Sequence, residues 1–209
     1  MLDFGYYNMD CNQGMKQFPD KYFDLAIVDP PYGINIGKMN LGAGGGLYWQ
    51  SKNDRTFKFG NWDIDKPKKN YFNYLFKISK NQIIWGGNYF IEFLYSSPGW
   101  IFWDKNKGDT DFADGELAWS SFNKSLKKIK YTWSGFIQNN MKNKEIKIHP
   151  TQKPIALYRW LLQTTPIQAM PLSILMSGQR VHWSLARWKA LNMWDLKTTR
   201  TIITIQQSG

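Results

Sequence analysis

The chain is almost without cysteine: Cys11 is the only one, so no intramolecular disulfide can form and a reducing, intracellular setting is expected. That count also leaves too few thiols for a zinc cluster. No apolar stretch approaches the roughly 18 continuous residues that a membrane span requires. The opening Met1-Leu2-Asp3-Phe4-Gly5 has neither the basic nor the apolar region of a secretory leader. These absences predict a soluble, cytoplasmic protein with no metal site and no membrane partner.

Acidic residues are scarce too. Sixteen Asp and Glu face 27 Lys and Arg, a formal charge of +11. Such an excess favours a polyanionic partner, because each neutralised phosphate releases counterions. Nucleic acid is the first expectation. With 209 residues, 43% of them hydrophobic, the chain can build one sizeable core. Oligomeric state leaves no mark in the residues.

Short apolar runs alternate with a helical pattern. Phe23 to Val28 reads as a buried strand ending at Asp29, and Gln82 to Trp85 as a second, stopped by Gly86-Gly87. Between them Tyr71, Leu75 and Ile78 recur at helical spacing within 67–80. Trp100 to Trp103 and Glu116 to Trp119 read as further strands, and Ile155 to Gln163 as a helix with Pro154 at its first position. Alternation of this kind predicts an α/β sheet.

Two segments lack such a pattern. Residues 37–61, with the run Gly42-Ala43-Gly44-Gly45-Gly46, are expected to be a mobile loop, a lid over a ligand, rather than a phosphate-binding glycine turn. Residues 106–148 form a candidate DNA-contacting segment. Its positive charge lies in 123–148, where Lys124, Lys127, Lys128, Lys130, Lys142, Lys144 and Lys147 mix with Tyr131, Trp133 and Phe136. A solvated lysine face and a phosphate-holding surface explain that pattern equally well.

Asp29-Pro30-Pro31-Tyr32 is the informative motif. An exocyclic base amine is a poor nucleophile, because its lone pair is delocalised into the ring. Acceptors aimed at the amine hydrogens draw density back onto the nitrogen, and a carboxylate followed by a locked carbonyl supplies two. The prolines do the locking: each fixes its own φ and biases the preceding residue to extended backbone. Tyr32 offers a flat face on which an extruded base can stack.

The chain resembles the bacterial and phage DNA amino-methyltransferases in which the catalytic loop precedes the cofactor loop. The resemblance spans roughly residues 6–163. It rests on Asn8-Met9-Asp10-Cys11, Asp29-Pro30-Pro31-Tyr32-Gly33, Asn81 through Phe90, Gly99-Trp100-Ile101-Phe102-Trp103-Asp104-Lys105 and His149-Pro150-Thr151-Gln152-Lys153-Pro154. It implies a doubly wound, Rossmann-like methyltransferase sheet, S-adenosyl-L-methionine as cofactor and double-stranded DNA as partner. The implied reaction is methyl transfer to adenine N6, with Asp29, Pro30, Pro31 and Tyr32 catalytic. It further places Asp10 near the cofactor's adenine and Thr151, Gln152 and Lys153 at its methionine end, where the start of the following helix offers donors to a carboxylate. His149 reads as structural. Cytosine N4 is the alternative target; a DNA-binding remnant without catalysis is the alternative of another class.

Residues 164–209 differ from the rest. All Phe, Tyr and Glu of the chain lie before Thr164, and the tail carries +4 of the total charge through Arg180, Arg187, Lys189, Lys197 and Arg200 against Asp195. In the family a strand, a glycine-rich cofactor loop and a second strand ending in an acidic residue would follow the 155–163 helix; none is legible here. Back-translation recovers them in a frame shifted by two bases. Ser173 to Gln179 can then encode Asp-Thr-His-Val-Gly-Ser, and Met193-Trp194-Asp195 must give Val-Gly whatever the codon choice. The tail therefore reads as out of frame. The sheet is expected to be incomplete at its C-terminal half and this chain to bind cofactor poorly.

Overall fold

The computed structural model describes residues 5–34, 48–50, 56–58, 63–108, 113–134, 137–146, 151–166, 172–179 and 199–207. Among these, strands β1 (Gly5–Asn8), β2 (Phe23–Asp29), β5 (Ser79–Trp85), β6 (Ile101–Asp104), β7 (Gly115–Ser120), β8 (Lys127–Lys130), β11 (Leu172–Gln179) and β12 (Thr199–Gln207) form one mixed sheet. Its order is β1-β12-β11-β2-β5-β7-β6-β8. The first five run parallel, and β7 runs against both β5 and β6. The protein is a mixed α/β fold with helices α1 (Cys11–Met15), α2 (Lys69–Ile78) and α3 (Ile155–Thr164).

Period-two alternation divides the core between the two faces of the sheet. Leu25, Ile27, Ile83, Trp85, Ile101, Trp103 and Ala118 pack with Leu157, Tyr158 and Leu161 of α3. Ala26, Val28, Ile84 and Trp119 pack on the other side with Cys11 and Met15 of α1 and with Tyr71, Phe72, Leu75 and Ile78 of α2. β2 lies inside the sheet and is covered on both faces, which is why it reads as a continuous apolar run.

The expected strands and helices are present with ends shifted by a few residues, and Pro154 sits one position earlier than expected, as the N-cap of α3. Of the expected loop at 37–61, two short strands are described, β3 (Tyr48–Gln50) and β4 (Thr56–Lys58), paired antiparallel. The remainder of that loop, and with it the expected lid, lies outside the described residues, as does His149. In the basic segment, β8 is an edge strand, and β9 (Trp133–Ser134) pairs with β10 (Ile137–Gln138). No described helix is long and apolar enough to cross a membrane.

The expectation of a sheet lacking its C-terminal strands is corrected. β11 pairs with β2 from Ile174↔Leu25 to Gly178↔Asp29, and β12 lies between β11 and β1. The residues account for it. Ser173 to Met176 is a short, mostly apolar run, and Thr199, Thr201, Ile202, Ile203, Thr204 and Ile205 are β-branched. Leu175 is fully buried between the elements. A tail with this composition supplies strands whatever reading frame it came from.

Candidate active site

Because β1, β12, β11, β2 and β5 are parallel, their carboxyl ends lie along one edge, where open α/β sheets bind ligands. Asp29 is the last residue of β2 and continues the alternation Leu25, Ile27, so its side chain falls on the α3 face. Strand β7 runs the opposite way, which brings its amino end to the same edge. There Glu116 shares the face of Ala118 and pairs in register with Trp103. Lys105 follows β6 at that edge.

The charged groups converge around Lys153, whose side chain is 4% exposed. Its Nζ lies 2.7 Å from Asp29 Oδ2 and 3.1 Å from Glu116 Oε2. Lys105 Nζ lies 2.6 Å from Glu116 Oε1. Tyr32 donates its hydroxyl to Asp29 Oδ1 at 2.8 Å. Lys153 also approaches the rings of Tyr32 and Trp85, at 5.8 and 5.2 Å from their centroids. Two carboxylates and two ammonium groups thus balance in a largely desolvated corner.

The balance sets the acidities. Burial raises the Asp29 carboxyl above its usual 3.8, against the pull of Lys153. For Glu116 burial acts in the same upward sense, but Lys153 and Lys105 together outweigh it and bring the group down to about 2. Burial would depress Lys153, yet Asp29 and Glu116 between them raise it above 10.5. Tyr32 is held well above 10 by burial, then by the negative charge of Asp29 and Glu116, so its hydroxyl stays a donor.

Tyr32 is fixed at several points. Its backbone N–H donates to Asp63 Oδ1 at 2.8 Å, and the N–H of Gly33 donates to the same oxygen at 3.1 Å. Its ring stacks on Tyr89 with centroids 4.9 Å apart and planes 16° from parallel, and meets Phe90 edge-on. Gly86, at φ +67°, lets the ring come this close, since a Cβ there would overlap it.

The segment before α3 is anchored rather than open. Trp133 donates its indole N–H to the carbonyl of Gln152 at 2.7 Å. The backbone N–H of Ile155, the first helical donor, is shared by both oxygens of Glu145 at 3.1 Å. Gln138 holds Glu145 in place, donating to its carbonyl at 2.8 Å and accepting from its N–H at 2.7 Å. A carboxylate of the chain itself therefore occupies the amino end of α3.

The residues singled out from sequence fall in two places. Asp29, Tyr32 and Lys153 touch one another, with Pro30 and Pro31 on the loop between and Thr151 and Gln152 just before Lys153. Asp10 lies elsewhere along the edge, capping α1 by accepting from the N–H of Gln13 at 3.0 Å. Three strand spacings, about 14 Å, separate the ends of β1 and β2. Sequence reasoning missed Glu116, Lys105, Asp63 and Tyr89. Strand parity could have found Glu116, two residues before Ala118 on the face that carries Asp29; Asp63 has no local signal. No protein-family model matches the chain, and no curated protein matches it.

Proposed function

We propose that the chain is an S-adenosyl-L-methionine-dependent DNA methyltransferase acting on adenine N6, with a Rossmann-like methyltransferase sheet. The observation that carries this reading is the Asp29 carboxylate at the end of an interior parallel strand, held by the Tyr32 hydroxyl and Lys153 at the head of a two-proline loop. Bound S-adenosyl-L-methionine would supply an electrophilic methyl group on a sulfonium. The chain supplies the acceptors. Each Asp29 oxygen keeps a lone pair beyond its present contact, and with the Pro30 carbonyl these accept the amine hydrogens and turn the nitrogen lone pair outward. The proton released after transfer passes to the Asp29 carboxylate, which burial has made more basic. Stacking of the extruded base on Tyr32 requires Tyr89 to yield, and Tyr89 is 38% exposed on a short 3-10 turn.

For the cofactor the fit is uneven. Asp10 and Asp29 lie along one edge, as an elongated ligand needs, and Lys153 touches Asp29. The first donor of α3 is already taken by Glu145. No glycine lies between β11 and β12, and β12 contains no acidic residue for a ribose. Weak cofactor binding follows. That observation also favours the second reading, a catalytically inert DNA-binding protein whose exposed Lys124, Lys127, Lys128 and Lys130 hold phosphates. Calorimetric titration with S-adenosyl-L-methionine, together with nucleoside mass spectrometry of DNA incubated at saturating cofactor, separates the two. N6-methyladenine supports the first reading, N4-methylcytosine redirects it, and DNA binding without any methylated nucleoside establishes the second.

A further inference from the structure

A loop of two consecutive prolines has an anchoring problem. Neither Pro30 nor Pro31 has an N–H, so beyond Asp29 the first backbone donor by which the chain can be tied down is that of Tyr32. The proline rings fix two φ angles and leave the ψ angles free. Whatever binds the Tyr32 N–H sets the Pro31–Tyr32 peptide plane. With φ of Pro31 fixed and Asp29 held in β2, that plane limits where the Pro30 carbonyl can point.

Asp63 occupies this position. Its side chain comes from outside the loop, 30 and 31 residues along the chain from the groups it binds. It is 4% exposed, and both N–H groups converge on the single oxygen Oδ1. The two amides are consecutive, so the backbone of Tyr32 sets their convergence, and Gly33, at φ +71°, turns the chain away beyond them. A buried carboxylate accepting two adjacent amides forms charge-assisted bonds and leaves little freedom in the peptides it grips.

We propose that Asp63 is a positioning residue: through the Tyr32 and Gly33 amides its carboxylate sets the peptide planes that aim the Pro30 carbonyl and the Tyr32 ring beside Asp29. The catalytic consequence rests on the methyltransferase reading; the anchoring does not. Geometry, not charge, is what the loop requires. Since one oxygen receives both bonds, an amide oxygen in its place serves, whereas a carboxylate carried one methylene further out does not.

The test uses the full chain with Asp63→Ala, Asp63→Asn and Asp63→Glu, with thermal unfolding followed alongside. Asp63→Ala is expected to lower kcat by about 100-fold, the scale of a misplaced reacting group. KM for DNA and for cofactor should stay within about threefold, as the phosphate contacts and the cofactor contacts proposed above lie outside this loop and only the target base meets it. Asp63→Asn should stay within about threefold of wild type in kcat, and Asp63→Glu should fall with Asp63→Ala. If Asp63→Ala does not accumulate as folded protein, Asp63→Glu carries the comparison. Amide hydrogen exchange at Tyr32 and Gly33 gives a readout independent of activity: fast in the alanine and glutamate variants, slow in wild type and Asp63→Asn. Loss of kcat in Asp63→Asn, a parallel rise in KM, or unchanged exchange in Asp63→Ala and Asp63→Glu overturns the proposal. A wild-type chain that methylates no DNA ends the methyltransferase reading, and the exchange measurement still decides whether Asp63 anchors the loop.

Discussion

The sheet has two unlike flanks on either side of β2. On one, β5, β7 and β6 bring Trp85, Glu116 and Lys105 to the edge beside Asp29, and each ionised group there has a named partner. On the other, β11 and β12 complete the hydrogen-bonded ladder as fully as β5 does, yet contribute no acidic residue and no glycine turn between them. Strand formation asks only for β-branched and apolar residues in a short run. A ligand site asks for particular side chains at particular ends, so a segment can satisfy the first demand without the second.

The comparison breaks most visibly at Asp29. Asp29→Ala is expected to lower methyl transfer at least about 1,000-fold, by removing an acceptor that acts as charge develops, and to leave DNA affinity within about threefold, since no phosphate contact is lost. Nucleoside analysis and a filter-binding titration read the two effects; equal loss of both would refute the assigned role. Next in size is Lys153→Met. Two half-buried carboxylates lose their shared cation, although Glu116 keeps Lys105, and unfolding free energy should drop by about 3 kcal/mol in a denaturant titration. A loss under about 1 kcal/mol, the value of an exposed pair, would show the corner to be wet.

Leu175→Ala sharpens the contrast from the other flank. Leu175 is fully buried with Leu75, Ile84 and Phe23 in the same cluster, so truncation should cost about 2–5 kcal/mol. No change would mean that the tail does not contribute to the core. The smallest effect is a pH dependence. The Glu116 carboxyl falls from 4.5 to about 2 in the folded chain, so the unfolded chain binds more protons across that interval. Stability from Glu116 is therefore complete above 4.5 and lost as pH falls toward about 2. Asp29, raised by burial, contributes in the opposite sense. Glu116→Gln should flatten the acid limb of the unfolding curve, and an unchanged limb would contradict its pairing with Lys153 and Lys105.

Much of the described structure was legible because its causes are local. The run Phe23–Val28, the helical spacing of Tyr71, Leu75 and Ile78, and the stop at Gly86-Gly87 each carry their own signal. The grouping of Asp29, Tyr32 and Lys153 was foreseen in part. Lys153 was expected at the cofactor's methionine end, and the structure brings its ammonium to Asp29, a contact that depends on how α3 packs over β2. Asp63 and Glu145 lay beyond reach for the same reason: each acts on a backbone amide in a different element, and nothing in the residues beside them marks the partner. The tail misled differently. Its composition breaks sharply with the rest and led to the expectation of an incomplete sheet, whereas Thr199 to Gln207 is rich in β-branched residues and forms a strand.

The most direct test of the account is mass spectrometry of nucleosides from DNA incubated with the 209-residue chain at saturating S-adenosyl-L-methionine, wild type beside Asp29→Ala. The account predicts N6-methyladenine with the first and none with the second. Methylated adenine from both, or none from a wild-type chain that binds the DNA and the cofactor, would contradict it.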